Sequence, residues 1–276
     1  MHDVRCNGAA IPALGFGTWE LRGDTARKLV EQALKIGYRH IDTAQMYGNE
    51  AEVGAGLKAG GLPRAQVFVT TKVWPDNFRR GDLERSAEQS LARLGLSHVD
   101  LLLLHWPSPD VPLAETMEAL NAVAERGWAR HIGVSNFNTA RIDEAVRRSA
   151  RPLVTNQVEY HPFLSQDPVL RRCRDHGMSL TAYCPLARGR VFSDPLLARV
   201  AAAHGKGPGQ VALRWLVQQE GVVAIPRSSS AAHARANFAI GDFELTAAEM
   251  DEITALAKPA GRIVDFAASA PAWDAA

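Results

Sequence analysis

The sequence predicts an α/β fold, a TIM-type (β/α)8 barrel in one domain over residues 1–276, and three observations carry that expectation. Short Leu-rich or β-branched runs alternate with stretches of helical period, the pattern of parallel strands with crossover helices. Eight such runs occur, at residues 14–16, 39–42, 67–72, 99–104, 129–134, 154–158, 179–183 and 222–225. No long linker or shift of composition divides the chain into halves, and closing an eight-stranded sheet removes both of its edges.

Helices are expected between the strands. Residues 25–36 place Leu29, Ala33 and Ile36 on one face, and residues 83–94 do the same with Leu91 and Leu94. Gly37 and Gly95 follow as stop signals. A further helix over residues 247–257 and an irregular tail rich in Pro and Ala follow the eighth unit, and they are expected to cover one end of the barrel.

Composition narrows the function. Lys plus Arg number 31 against 30 Asp plus Glu, and a net charge of +1 gives no field to attract nucleic acid or an anionic membrane. The arginines at 79 and 80, and those flanking Cys173, read as solvated faces. The expected partner is a small molecule. Cys6, Cys173 and Cys184 stand far apart in no CxxC arrangement, which suits reduced thiols and argues against a disulfide or metal scaffold. The nine histidines show no ligand spacing, so no metal is expected; His98, His131, His161, His176 and His204 are placed in loops or on helix faces, most of them solvated or capping. The start MHDVRCNG lacks a basic patch followed by an apolar run, and the apolar strip around residues 101–104 is too short to span a bilayer. The chain is expected in the cytoplasm.

Barrel active sites form where the C-terminal ends of the strands meet. That rule selects Asp42 and Tyr47 after the second strand, Lys72 and Trp74 at the third, and His105 and Trp106 at the fourth. Each has an ordinary alternative taken singly: a helix cap, a rim aromatic, a solvated charge, a core histidine. Together they read differently, because an ionisable group in a buried strand is costly unless paired, and three adjacent strands deliver Asp, Lys and His to one mouth. A phenol titrates near pH 10, and a neighbouring ammonium is expected to lower that value. Lys72 supplies the ammonium, Asp42 holds it, His105 polarises a carbonyl and Tyr47 donates the proton. No serine elbow, HExxH or Walker loop appears, so hydride from a bound cofactor is the natural complement.

With those residues in place, the chain resembles the aldo-keto reductase family over nearly its whole length. GFGTW, IDTAQMYGNE, TTKVW, DLLLLHWP, IGVSNF, TNQVEYHP, YCPLARG and AIPRSSS occur in the family's order and spacing. The resemblance implies an N-terminal β-hairpin before the barrel, a monomer, and a catalytic tetrad of Asp42, Tyr47, Lys72 and His105. It implies a nicotinamide cofactor, NADPH with NADH as the alternative. Ser135, Asn136 and Gln157 would bind its carboxamide and Tyr183 would stack on its ring. Thr18 and Trp19 would lie nearby, Pro185 and Leu186 would line the pyrophosphate path, and Ile225, Arg227, Ser228 and Asn237 would hold the adenosine ribose phosphate. The chain departs from the family where His233 and Ala236 replace an arginine and a glutamate, which leaves the choice of NADP over NAD less well supported. Within the family, IDTAQMYGNEAEVG, LLLLHWPSP and GRIVDFAASAPAWD resemble compact bacterial reductases of 2,5-diketo-D-gluconate and methylglyoxal. Trp19, Trp74 and Trp106 would form an aromatic wall for the carbonyl substrate, with Phe266 reaching it from the tail. Two rival readings stand beside this one: a nicotinamide-binding sensor without turnover, and an aldolase using Lys72 as a Schiff-base nucleophile.

Overall fold

The computed structural model describes residues 1–266 and 268–274. An antiparallel hairpin, β1 (Asp3–Cys6) and β2 (Ala9–Pro12), comes first. Eight parallel strands follow: β3 (Phe16–Gly17), β4 (His40–Asp42), β5 (Phe68–Val73), β6 (Val99–Leu104), β7 (Ala129–Ser135), β8 (Leu153–Glu159), β9 (Ser179–Tyr183) and β10 (Val222–Ala224), each beside the next in chain order. The sheet closes on itself. Gly15 N–H donates to the Ala224 carbonyl at 2.8 Å, Ala224 N–H to the Ala13 carbonyl at 2.8 Å, and Gly17 N–H to the Pro226 carbonyl at 3.0 Å.

The expected strands are therefore present, with ends differing by one or two residues. The first is the exception: it pairs as β3 only over Phe16–Gly17, with Leu14 bridged separately to Ala224. Strand β6, VDLLLL, is buried along its whole length, as a parallel strand covered on both faces requires.

The crossover helices are α1 (Gly23–Ile36), α2 (Glu50–Gly60), α3 (Asp82–Leu94), α4 (Leu113–Glu125), α5 (Thr139–Arg148), α6 (Asp167–Asp175), α7 (Pro195–His204), α8 (Pro208–Gln218) and α9 (Ala231–Phe238), with α10 (Ala247–Thr254) after them. On α1 the buried residues Ala26, Leu29, Val30, Ala33 and Leu34 form the inward stripe. The helix stops at Gly37, whose φ of 129° disfavours other residues. Two helices, α7 and α8, rather than one, separate β9 from β10. Helix α10 ends three residues before the expected 257: its last turn tightens to i→i+3 bonds ahead of Pro259, which disfavours helical backbone before it.

Both ends of the barrel are covered, by different segments. The hairpin lies at the N-terminal ends of β8 and β9, where the Asn7 amide donates to the Leu153 carbonyl at 2.7 Å. At the opposite mouth the tail after α10 crosses the strand ends, as expected of it, whereas α10 itself, expected to help cover that end, packs against α7 and α8. No helix among the described residues is long and apolar enough to cross a membrane.

Candidate active site

At the C-terminal ends of the strands lies a cleft of about 610 Å³. Asp42 ends β4, Lys72 sits on β5, His105 follows β6, and Tyr47 ends a short 3-10 turn, Gln45–Tyr47, after β4. Lys72 is fully buried and its Nζ donates to Asp42 Oδ1 at 2.5 Å, to the Thr43 carbonyl at 2.9 Å and to Tyr47 Oη at 3.2 Å. Three acceptors match the three N–H bonds of an ammonium and leave no lone pair to attack a carbonyl, which removes the support for a Schiff-base reading. The other oxygen of Asp42 accepts from Gln157 Nε2 at 2.8 Å, so both are occupied within the barrel.

The buried ring of His105 stands edge-on to Tyr47, with centroids 5.7 Å apart, and to Trp74 at 5.2 Å. Its Nδ1 has no hydrogen-bond partner. Burial, and then the Lys72 charge, hold His105 well below the usual imidazole value, so the ring is neutral. Burial also pulls Lys72 down, opposed by Asp42.

For Tyr47 the direction is opposite to the one expected from the sequence. Burial raises the phenol well above its ordinary value and the Asp42 charge adds to the rise. The ammonium of Lys72, 3.2 Å away and already partly balanced by Asp42, does not outweigh the cost of burying a phenolate. Tyr47 therefore holds its proton throughout the neutral range, and the ammonium beside it is placed to stabilise the phenolate once the proton has left.

Further residues read from the sequence line the same cleft: Thr18, Trp19, Trp106, Ser135, Asn136, Gln157, Tyr183, Pro185, Leu186, Ile225 and Arg227. Several of their polar groups are already engaged. Asn136 Nδ2 donates to the His105 carbonyl at 2.9 Å and its Oδ1 accepts from the Tyr183 hydroxyl at 2.8 Å. Ser135 Oγ donates to the Gln157 carbonyl at 2.7 Å, and Thr18 Oγ1 to the Asp42 carbonyl at 3.0 Å. Arg227 donates through Nε to the Trp19 carbonyl at 3.2 Å and pairs through Nη2 with Glu20 Oε2 at 3.3 Å.

Ser228 and Asn237 are not brought to the cleft, and Trp74, expected in the substrate wall, does not line it either, although it stands edge-on to His105. The Ser228 hydroxyl turns onto its own chain and donates to the Ser230 carbonyl at 2.7 Å, and Asn237 is buried within α9. Local turn formation ahead of α9 takes the serine, and packing takes the asparagine. The histidine reading is also corrected: His131 lies on β7, half-buried, and His161 is fully buried against Glu159 at 2.9 Å. Removed from water, its Nε2 is paired with a buried carboxylate instead of solvent, while Nδ1 has no hydrogen-bond partner.

The tail supplies what the sequence only hinted at. Phe266 stands edge-on to Trp74, centroids 5.5 Å apart, and 6.0 Å from Trp106, so the aromatic wall includes it. Met46, Phe192 and Phe266, all largely exposed, rim the cleft together with Cys184 and Arg188. Met46 and Phe192 carried no signal in the sequence, since an apolar residue on a rim looks like any other apolar residue until the fold shows which side it faces; Arg188 likewise looks like any solvated arginine until the fold turns it toward Trp19.

The family model described as "Aldo/keto reductase family" matches residues 13–258. Methylglyoxal reductase DkgB of Escherichia coli O157:H7 is 39% identical over 268 residues, covering 96% of this chain and 100% of that protein. Glyoxal reductase of Bacillus subtilis (strain 168) is 39% identical over 253 residues, 91% of each. A crystal structure assigned to a 2,5-diketo-D-gluconic acid reductase B superposes with a TM-score of 0.98 at 54% identity, over 100% of this chain and 98% of that one. The Bombyx mori aldo-keto reductase solved in complex with NADP superposes with a TM-score of 0.88 at 33% identity, over 96% of each chain.

Proposed function

This chain belongs to the aldo/keto reductase family, and on that premise we propose that it reduces small aldehydes, ketones or dicarbonyls, of the methylglyoxal or 2,5-diketo-D-gluconate type, to alcohols. The observation that carries the reading is the buried Lys72 ammonium bridging Asp42 and Tyr47 beside a neutral His105. NADPH, or less well NADH, supplies a hydride to the carbonyl carbon when bound.

The chain's residues supply the rest. The substrate oxygen sits between Tyr47 Oη and the His105 ring, two polar groups facing a cleft with apolar walls. His105, held neutral, polarises and positions that oxygen. Tyr47 delivers its proton as negative charge develops there, and the phenolate left behind lies 3.2 Å from the ammonium of Lys72. Asp42 fixes Lys72, and Gln157 fixes Asp42. The Tyr47 proton is the chain's own contribution to converting C=O into CH–OH.

A dinucleotide fits the remaining residues. Tyr183 offers a half-buried ring at the end of β9, Ser135 and Asn136 lie beside it, and Arg227 lines the same cleft. Glu20 already neutralises Arg227 in part, so the preference for the 2′-phosphorylated cofactor is modest. We also propose that the protein is a single domain that acts in the cytoplasm, and, by its family's habit, as a monomer.

The test is direct. Mixing the protein with NADPH or NADH and methylglyoxal or 2,5-diketo-D-gluconate is expected to consume absorbance at 340 nm, and Tyr47→Phe to abolish this with an unchanged circular dichroism spectrum. Full activity in Tyr47→Phe would remove the proton donor and with it the mechanism.

A further inference from the structure

Glu159, at the end of β8, is fully buried; among the described residues no lysine or arginine pairs with it directly, although the Arg262 charge lies near enough to act on it. A carboxylate in that position is costly unless hydrogen bonds replace its water. Here they do, and two of the donors are backbone groups of the tail: Ile263 N–H donates to Oε1 at 2.7 Å and Val264 N–H to Oε2 at 2.7 Å. His161 Nε2 lies 2.9 Å from Oε1.

The chain enters this contact under tight constraint, because a Cβ on Gly261 would collide with the Phe163 carbonyl. Beyond the contact, Val264 lines the cleft and Phe266 packs against Trp74. The far end of the tail is held by a second carboxylate. Asp274 accepts from Thr139 N–H at 2.9 Å and from Thr139 Oγ1 at 2.6 Å, at the start of α5. The tail is thus a strap with one buried and one surface tether, and the aromatic side chain facing the cleft lies between them.

We propose that Glu159 is a positioning residue for the substrate: by holding the Ile263 and Val264 amides it fixes the strap that presents Phe266 to the aromatic wall. This rests on the carbonyl-reduction reading above. Glu159 touches no reacting atom, so its effect falls on substrate affinity and not on the chemical step.

Glu159→Gln keeps the shape and one acceptor oxygen while turning an amide NH2 toward a backbone N–H. Two measurements test the proposal. Amide hydrogen exchange of residues 262–274 is expected to accelerate in the variant. The KM for an aromatic aldehyde is expected to rise about three- to tenfold, the range of one aromatic contact, with kcat within about twofold. Phe266→Ala reproduces the KM change, and the double variant shows no further rise, since both act through one ring. Asp274→Asn, which loosens the surface tether, raises KM in the same direction and keeps the idea testable if Glu159→Gln does not fold. Unchanged tail exchange, or additive effects of Glu159→Gln and Phe266→Ala on KM, would overturn the proposal. A wild-type protein inert toward every carbonyl would instead refute the proposed function, while the exchange experiment would still report on the tether.

Discussion

Replacing Lys72 by methionine keeps the volume of the side chain in the barrel and removes its charge. Asp42, 1% exposed, then retains one side-chain donor, Gln157 Nε2 at 2.8 Å. Breaking a buried pair by deleting one partner costs about 3–5 kcal/mol, because the remaining charge has neither water nor a counter-ion. With a denaturant slope of about 3 kcal/mol per M urea, the midpoint of unfolding falls by about 1–1.7 M. Removing the second charge as well relieves that cost: in Asp42→Asn combined with Lys72→Met, most of the lost stability returns, since an uncharged pair of the same size needs no compensation. Activity follows a different course. The phenolate left by proton transfer has lost the ammonium 3.2 Å away in both variants, so kcat falls by at least about 100-fold in each. Urea melts followed by tryptophan fluorescence, together with initial rates at 340 nm, separate the two effects. A double variant that recovered both stability and rate would show that the lysine serves only to neutralise Asp42, and a single variant as stable as the wild type would show that the pair is not desolvated.

Three further outcomes are expected. Burial lowers His40 from 6.5 to about 4, so below pH 6.5 the unfolded chain binds a proton that the folded one refuses. The stability contribution is complete above pH 6.5 and declines toward pH 4, about 2 kcal/mol of it by pH 5; urea melts at pH 7 and pH 5 should show a drop that His40→Asn reduces by that amount. Gly54→Ala places a methyl group against the Leu94 carbonyl where α2 meets the end of α3, and is expected to cost about 1–3 kcal/mol, read as a lower melting temperature with unchanged kcat. Glu20→Ala frees Arg227 and is expected to tighten NADPH about two- to fivefold while leaving NADH nearly unchanged, as measured by fluorescence quenching; equal tightening of both would place the 2′-phosphate elsewhere.

Much of the site was legible in the sequence because a barrel converts strand order into spatial order. Once Asp42, Lys72 and His105 are recognised at the ends of successive strands, parallel pairing brings them to one mouth, and the register of Asp42 with Thr70 on β5 and of Lys72 with Leu103 on β6 does so here. The residues expected to hold a cofactor at the ends of β7, β8 and β9 reach the cleft by the same rule. Ser228 and Asn237 did not, since they lie past the strand end, where turn bonding and helix packing decide which way a side chain faces.

What the sequence by itself determined is the set of elements and the identity of the ionisable groups, because hydrophobic period and strand ends are local properties of the chain. What only the tertiary structure decided is the state of those groups and the reach of the tail. The phenol of Tyr47 is raised instead of lowered because burial and the Asp42–Lys72 balance depend on groups 25 and 30 residues apart meeting out of water. The strap is held through backbone N–H groups, which every residue except proline carries, so no side-chain pattern could announce that Glu159 would find Ile263 and Val264 more than 100 residues away.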